Sequence, residues 1–176
     1  MILSDRSLAC MYPDSPYIQP ASIDLHLGDE IKALRPGVVL DPERDQSDEW
    51  EPLARCHGGP ADGRWRLEHL RPYLGVTQES LTIDLDHVGL LHGVSSIGRL
   101  FLLIHVTAGL IDPGWTRGRL TLELFPLGAS IFLRPGMRIG QVTLHQLTER
   151  CISPYSGKYQ HDQGAVPSRM WKEGRK

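Results

Sequence analysis

Turn-forming residues are spread along the whole chain: 18 glycines and 13 prolines punctuate 176 residues. Such punctuation disfavours long helices and favours many short strands joined by tight turns. Strand-like segments lie at 73–77, 80–85, 100–106, 119–125, 130–133 and 141–147. Asp112-Pro113-Gly114 and Arg134-Pro135-Gly136 supply turn chemistry between them. Short strands with turns at roughly 8–12-residue spacing predict an all-β barrel or sandwich.

A few helical turns interrupt the pattern. Ser4 is placed to cap a short helix whose inner face carries Leu8 and Met11. Residues 95–100 have room for one helical turn. Ile23, Leu25 and Leu27 alternate with Asp24 and His26, which predicts a half-buried strand closed by Gly28. Residues 35–66 are rich in Asp, Glu, Arg, Gly and Pro without periodicity, and read as surface loop with room for one hairpin. The length suits one compact domain over 1–150. Beyond it, 151–176 is polar and carries Gly, Ser and Pro, and reads either as a disordered end or as an arm able to close over a ligand.

Bulk properties exclude several classes. Lys and Arg total 19 against 21 Asp and Glu, a formal charge of -2. A general nucleic-acid binder would be basic, so no nucleic-acid partner is expected. Cys10, Cys56 and Cys151 are odd in number and far apart, which indicates neither a disulfide framework nor a structural zinc site. The first ten residues have no secretory signal pattern and no apolar stretch reaches membrane-spanning length. The expectation is a soluble cytoplasmic protein with no membrane partner.

The residues that carry chemistry cluster between 91 and 123. In the segment 119–125, Leu120, Leu122 and Leu124 share one face, leaving Arg119, Thr121, Glu123 and Phe125 on the other. Glu123 then has two readings: a surface salt bridge with Arg119 or Arg117, or a general acid/base in a cleft. Ser95, Ser96 and Arg99 fall within one turn, where hydroxyls, backbone N–H groups and a guanidinium can face a phosphate together. The competing reading is a helix cap and a solvated arginine. Asp112 before Pro-Gly either caps a turn or meets a ligand. No His-x-Glu with a downstream Pro-Cys-x-x-Cys is present, so the zinc-deaminase route is closed to this chain. Walker and dinucleotide-binding glycine patterns are absent as well.

These motifs occur in a specific order. The run 1–8, then 19–25, then a dense block over 95–141 are followed by Gly157-Lys158-Tyr159-Gln160 and the run 163–169. The dense block contains Ser95-Ser96-Ile97-Gly98-Arg99, the run 105–115, Leu120-Thr121-Leu122-Glu123 and the run 134–141. In this combination, spread from residue 1 to residue 169, the sequence resembles the dCTP deaminase family, the deaminase branch of the trimeric dUTPase-like fold. Residues 35–66 match poorly.

The resemblance implies a mainly β, dUTPase-like barrel or β-clip with a short N-terminal helix. It also implies a homotrimer with sites between subunits. The implied reaction is zinc-free deamination of dCTP, or a related deoxycytidine nucleotide, to dUTP and ammonia, with magnesium carried on the phosphates. By position, Glu123 resembles the catalytic carboxylate, while Ser95 and the Ala108 carbonyl resemble the groups that hold the attacking water. Arg99, Lys158 and Tyr155 would hold phosphates, with Ser96 in the same cluster. Asp112 would meet the sugar, and Thr121 and Leu122 would line the base pocket with Glu123. Gln141 resembles a ligand-proximal glutamine.

Two positions depart from the family pattern. Val94 stands where Arg or Lys is usual, which removes a charge-assisted contact worth about 1.5–3 kcal/mol. Asp162 stands where glutamine is common. Gly109 follows Thr107-Ala108 where many deaminase-only members carry histidine, as in members that also cleave dUTP to dUMP and pyrophosphate. The alternatives are a dUTPase-like diphosphohydrolase alone and a nucleotide-binding or regulatory homologue without turnover.

Overall fold

The computed structural model describes residues 1–173. Eleven strands and two short α-helices are present among them. The helix α1 (Asp5–Met11) starts where the sequence predicts, with Ser4 at its N-cap, although the Ser4 hydroxyl makes no capping bond. Leu8 is fully buried and Met11 packs against the core at its edge.

Strands β1 (Ile18–Gln19) and β2 (Ser22–Leu34) form a tight antiparallel pair. β3 (Trp50–Pro52) runs along the far end of β2, while β4 (Trp65–Leu67) joins a separate two-stranded sheet. β5 (Tyr73–Leu81), β6 (His87–Gly93) and the helical turn α2 (Ser95–Gly98) follow. Then come β7 (Leu102–Leu103), β8 (Leu110–Ile111), β9 (Gly118–Pro126), β10 (Ile131–Leu133) and β11 (Arg138–Gln146). The large sheet runs β7-β9-β5-β2-β11-β6-β8, with every paired strand antiparallel, and β10 pairs with β4. Among the described residues, helix contributes only α1, α2 and single 3-10 turns. The chain thus has a mainly β architecture built around one large antiparallel sheet. No helix among the described residues is long and apolar enough to cross a membrane.

Several local expectations are corrected. Gly28 does not end its strand, because β2 continues to Leu34 with a register shift between Leu27 and Ile31. A Cβ on Gly28 would lie 3.0 Å from the Val76 carbonyl oxygen and 2.2 Å from Arg119 Nη2. The glycine permits a close approach at an irregularity inside the strand. Asp24 is buried rather than solvated, because β1 folds back over it. Gln19 Nε2 and Arg138 Nη1 donate to its Oδ2 at 3.0 and 2.9 Å.

The segments 73–77 and 80–85 are one strand followed by a turn, not two strands. The segment 100–106 yields only two strand residues, since Phe101 has φ 55°. β6 was not evident in the sequence: its glycines and histidines mask the alternation that places Leu91 inward. In 35–66, both strands pair with partners outside the region rather than with each other.

The core lies between the curved faces and includes Leu25, Leu27, Leu122, Leu124, Leu133, Val142 and Leu144, all with no exposed surface. Replacing Leu122 by alanine should cost about 2–5 kcal/mol in denaturant unfolding, as expected for a large-to-small change in a close-packed core. A loss below about 1 kcal/mol would show that the inner face of β9 is not tightly packed.

Candidate active site

β9 alternates as its sequence demands. Leu120, Leu122 and Leu124 face the core, while Arg119, Thr121 and Glu123 are half-exposed on the opposite face. Glu123 forms no ion pair among the described residues. Its Oε2 instead accepts N–H bonds from Val106 at 2.6 Å and from Thr107 at 3.4 Å. These donors sit on the loop between β7 and β8, so that loop is pinned to the carboxylate. Oε1 accepts no hydrogen bond among the described residues.

Arg119 is engaged elsewhere, which removes the salt-bridge reading of Glu123. Its Nε donates to the Thr77 carbonyl, Nη1 to the Gln163 carbonyl at 3.1 Å, and Nη2 to Asp29 Oδ1 at 3.2 Å. Hydrogen bonds from its own backbone N–H and from Arg119 hold the Asp29 carboxyl below the usual carboxylate range.

Glu123 opens into a cavity of about 400 Å³ lined also by Trp50, Leu74, Ala108, Thr121 and Asp162. An adjoining cavity of about 230 Å³ shares Ala108, Trp115, Leu120, Thr121 and Tyr159 with the first, and adds Asp112 and Tyr155. Together they make one cleft with a carboxylate at one end and an aromatic corner at the other. In that corner the Trp115 and Tyr155 rings lie 5.6 Å apart.

The cleft is roofed by the chain's own arm. Gln160 accepts from the Thr116 N–H at 3.1 Å and donates to the Gly114 carbonyl at 2.8 Å. Ala165 N–H donates to Glu30 at 2.8 Å, its carbonyl accepts from Lys32 at 2.8 Å, and Val166 N–H donates to the Thr121 hydroxyl at 3.2 Å. Arg169 clasps Asp162 through two bonds of 2.8 and 3.0 Å, with both side chains largely buried. Hydrogen bonds from Ser47 hold the Asp45 carboxyl low, and the Lys172 charge adds to this.

Not every residue singled out in the sequence converges here. Glu123, Ala108, Thr121, Asp112, Tyr155 and Asp162 line the cleft. Leu122 does not, because its side chain is fully buried in the core. Ser95, Ser96 and Arg99 are exposed on α2, outside both cavities, and α2 has no side-chain cap. Lys158 pairs with Glu173 and lies against the Tyr159 ring, outside both cavities. Gln141 accepts from the Ser22 hydroxyl at 3.1 Å, on β11. Val94 is 6% exposed and packs in the core, so the position is used for burial rather than for a ligand. Asp112 does not cap its turn with its side chain; only its carbonyl accepts, from the Trp115 N–H.

Sequence reasoning missed Trp50, Gln46, Trp115 and Tyr159. The first two lie in a segment without periodicity, and nothing local in it records where the segment is laid down.

A family model described as dCTP deaminase-like matches residues 4–147. The chain belongs to the dCTP deaminase-like family. It is similar to the protein named "dCTP deaminase, dUMP-forming" of Methanopyrus kandleri, at 40% identity over 158 residues, 86% of this chain and 79% of that protein. The protein of the same name from Mycobacterium avium is 38% identical over 189 residues, covering 97% of this chain and 96% of the relative. Among solved structures, that of 2'-deoxycytidine 5'-triphosphate deaminase from Agrobacterium tumefaciens aligns with a TM-score of 0.61 at 24% identity. The alignment takes in 82% of this chain and 47% of that one, and the likeness is one of fold.

The clasp between Asp162 and Arg169 is the arm's inner fastening in this dCTP deaminase-like chain. Arg169→Ala should raise amide hydrogen exchange across residues 158–168 by about tenfold, equivalent to about 1.4 kcal/mol of local stability. Unchanged exchange would mean that Glu30, Lys32 and Thr121 hold the arm without it.

Proposed function

We propose that the protein deaminates dCTP to ammonia and a uracil nucleotide, and carries the product on to dUMP and pyrophosphate. The observation that carries this reading is Glu123. It is a carboxylate with one oxygen fixed by two backbone N–H groups and the other unpaired, set in a cavity beside Ala108. A carboxylate so placed can take a proton from water and return it to a leaving group.

In the proposed chemistry, water attacks C4 of cytosine. Glu123 takes the first proton of the water to N3, then takes the remaining proton from the new C4 hydroxyl to the amine. The C4–N4 bond breaks, ammonia leaves and a C4 carbonyl remains. The Ala108 carbonyl orients the water, assisted by Ser95. Positioning must supply the activation that a metal-bound water would otherwise provide. A pure diphosphohydrolase has no use for an acid/base group at this place, which speaks against that alternative.

The dUMP-forming step is supported by the relatives that bear that description and by Gly109 after Thr107-Ala108. Asp112 also fits: it is exposed at the second cavity, and its carboxylate accepts no hydrogen bond among the described residues. It would orient water toward the α-phosphate. The substrate would be the magnesium complex of the nucleotide. The ion would travel on the phosphates.

A homotrimer fits two observations. Ser95, Ser96 and Arg99 lie outside the cavities that hold Glu123 in the same chain. Leu100 and Phe101, directly after α2, and Leu127, whose N–H donates to the Phe101 carbonyl, are exposed, an apolar surface suited to a neighbouring copy. We therefore place α2 of one subunit against the cleft of the next, completing a phosphate grip there. The cytoplasm is the compartment in which we expect such an enzyme to act.

Incubation with magnesium and dCTP, followed by separate assays of ammonia and pyrophosphate, tests the reaction. Both products are expected. Ammonia alone would leave a plain deaminase, and neither would leave a nucleotide-binding homologue. Glu123→Gln should lower ammonia release by about 10²–10⁴-fold while nucleotide still binds. Retained turnover in that variant removes Glu123 from the mechanism. Co-expressed Glu123→Gln and Arg99→Ala chains should recover part of the activity that neither variant has alone. No recovery would mean that sites are not shared between subunits.

A further inference from the structure

Through Gln46 and Trp50 the segment 41–50 forms part of the cleft wall beside Glu123. Gln46 is only 8% exposed, and it lines the same cavity as Glu123, Thr121 and Trp50. Its Nε2 donates to the Asp41 carbonyl. That carbonyl belongs to a tight turn in which Arg44 N–H also donates to it at 3.0 Å and Glu43 N–H donates to Asp41 Oδ1 at 3.0 Å. Only the NH2 side of an amide can face a carbonyl, so the turn fixes which way the amide points. Oε1 accepts no hydrogen bond among the described residues and keeps some exposed surface in a residue that is otherwise buried. An acceptor so placed is open to a donor from water or from a ligand in the cavity that Gln46 lines.

The neighbours indicate which donor. Trp50, on the same segment, packs against Leu74, Val76 and Ala165 and provides an aromatic wall. Leu74 is the cross-strand partner of Glu123, so the wall bearing Gln46 stands at the carboxylate end of the cleft. A flat base lying along that wall with its reacting carbon toward Glu123 brings its exocyclic group toward the same end.

We propose that Gln46 is a specificity-determining residue whose side-chain oxygen accepts a hydrogen bond from the exocyclic amine of a cytosine base. This rests on the reading of the cleft as a deoxycytidine nucleotide site. Cytosine offers N–H donors at C4, whereas the deaminated product offers a carbonyl there, an acceptor only. With Nε2 held by Asp41, the amide cannot turn over to donate without losing that bond. Gln46 therefore favours the substrate base and disfavours the product base, which selects cytosine on entry and helps uracil leave.

The test compares wild type with Gln46→Met, similar in length but without an acceptor, and Gln46→Glu, which keeps one. Ammonia release from dCTP and inhibition by added dUMP are measured for each. Circular dichroism and a thermal melt verify that each variant is folded. The expected result for Gln46→Met is a KM for dCTP raised about tenfold with kcat within about threefold of wild type, the pattern of a lost binding contact. Inhibition by dUMP should become stronger in Gln46→Met, and Gln46→Glu should lie nearer to wild type on both measures. A Gln46→Met enzyme with unchanged KM and unchanged dUMP inhibition overturns the role of Gln46 and leaves the deaminase reading intact. A wild-type protein inert toward dCTP overturns both.

Discussion

The alternation of β9 is the constraint on which the rest of the cleft depends. Leu122 and Leu124 have no exposed surface, and a strand with two such anchors cannot slip by one residue without turning its whole apolar face outward. Fixing the leucines fixes Thr121 and Glu123 on the other face, and three structures then assemble against that face. The loop between β7 and β8 docks through Val106 and Thr107 on Glu123. The arm docks through Val166 on Thr121. β5 lies alongside and brings Leu74 opposite Glu123. The core and the chemistry are therefore coupled by register rather than by any direct contact between them.

The arm adds a second layer of order. It carries no regular strand, so its backbone groups cannot be satisfied by a ladder and are met one at a time. Glu30 and Lys32 of β2 take the N–H and the carbonyl of Ala165, and Gln160 and Gln163 reach back to backbone groups between Gly114 and Arg117. Arg169 then closes the chain on itself through Asp162. An arm fastened largely by polar bonds, with Ala165 and Pro167 as its buried apolar residues, can open at lower cost than one fastened by a large core. Such an arm suits a site that must admit and release a charged nucleotide.

What could be read in the sequence follows from how local each signal is. The face of Glu123 was legible because period-two alternation over 119–125 is a local property, and α1 and α2 were legible from their starts and lengths. Gly28 was misread because one glycine can end a strand or relieve a crowded point within it. The deciding neighbours, Val76 and Arg119, are distant in sequence. β6 was missed because Gly89 and Gly93 interrupt its pattern, while Gly89 is needed for contact with Ile111 and Val142. Gln46 and Trp50 were invisible as site residues for a different reason. A loop's composition shows that it turns, but its position over the cleft is set by β3 pairing with β2 and by contacts to Leu74 and Ala165.

The two departures from the family pattern also change meaning once they are placed in three dimensions. Val94 does not leave a gap in a ring of cations, because its side chain is spent on core packing beneath α2. Asp162 does not present a free anion to the cleft, because Arg169 neutralises it through a two-bond clasp in a largely buried setting. Electrostatically, then, the arm brings an acid and its counter-charge together and leaves the local balance near neutral. In the proposed trimer the burden of holding phosphates falls on Arg99 and on Lys158. Lys158 is paired with Glu173 among the described residues, so a nucleotide would have to exchange that carboxylate for its own phosphates. Such an exchange replaces one charge-assisted contact by another, so its net strength depends on differences in geometry and desolvation rather than on the number of charges.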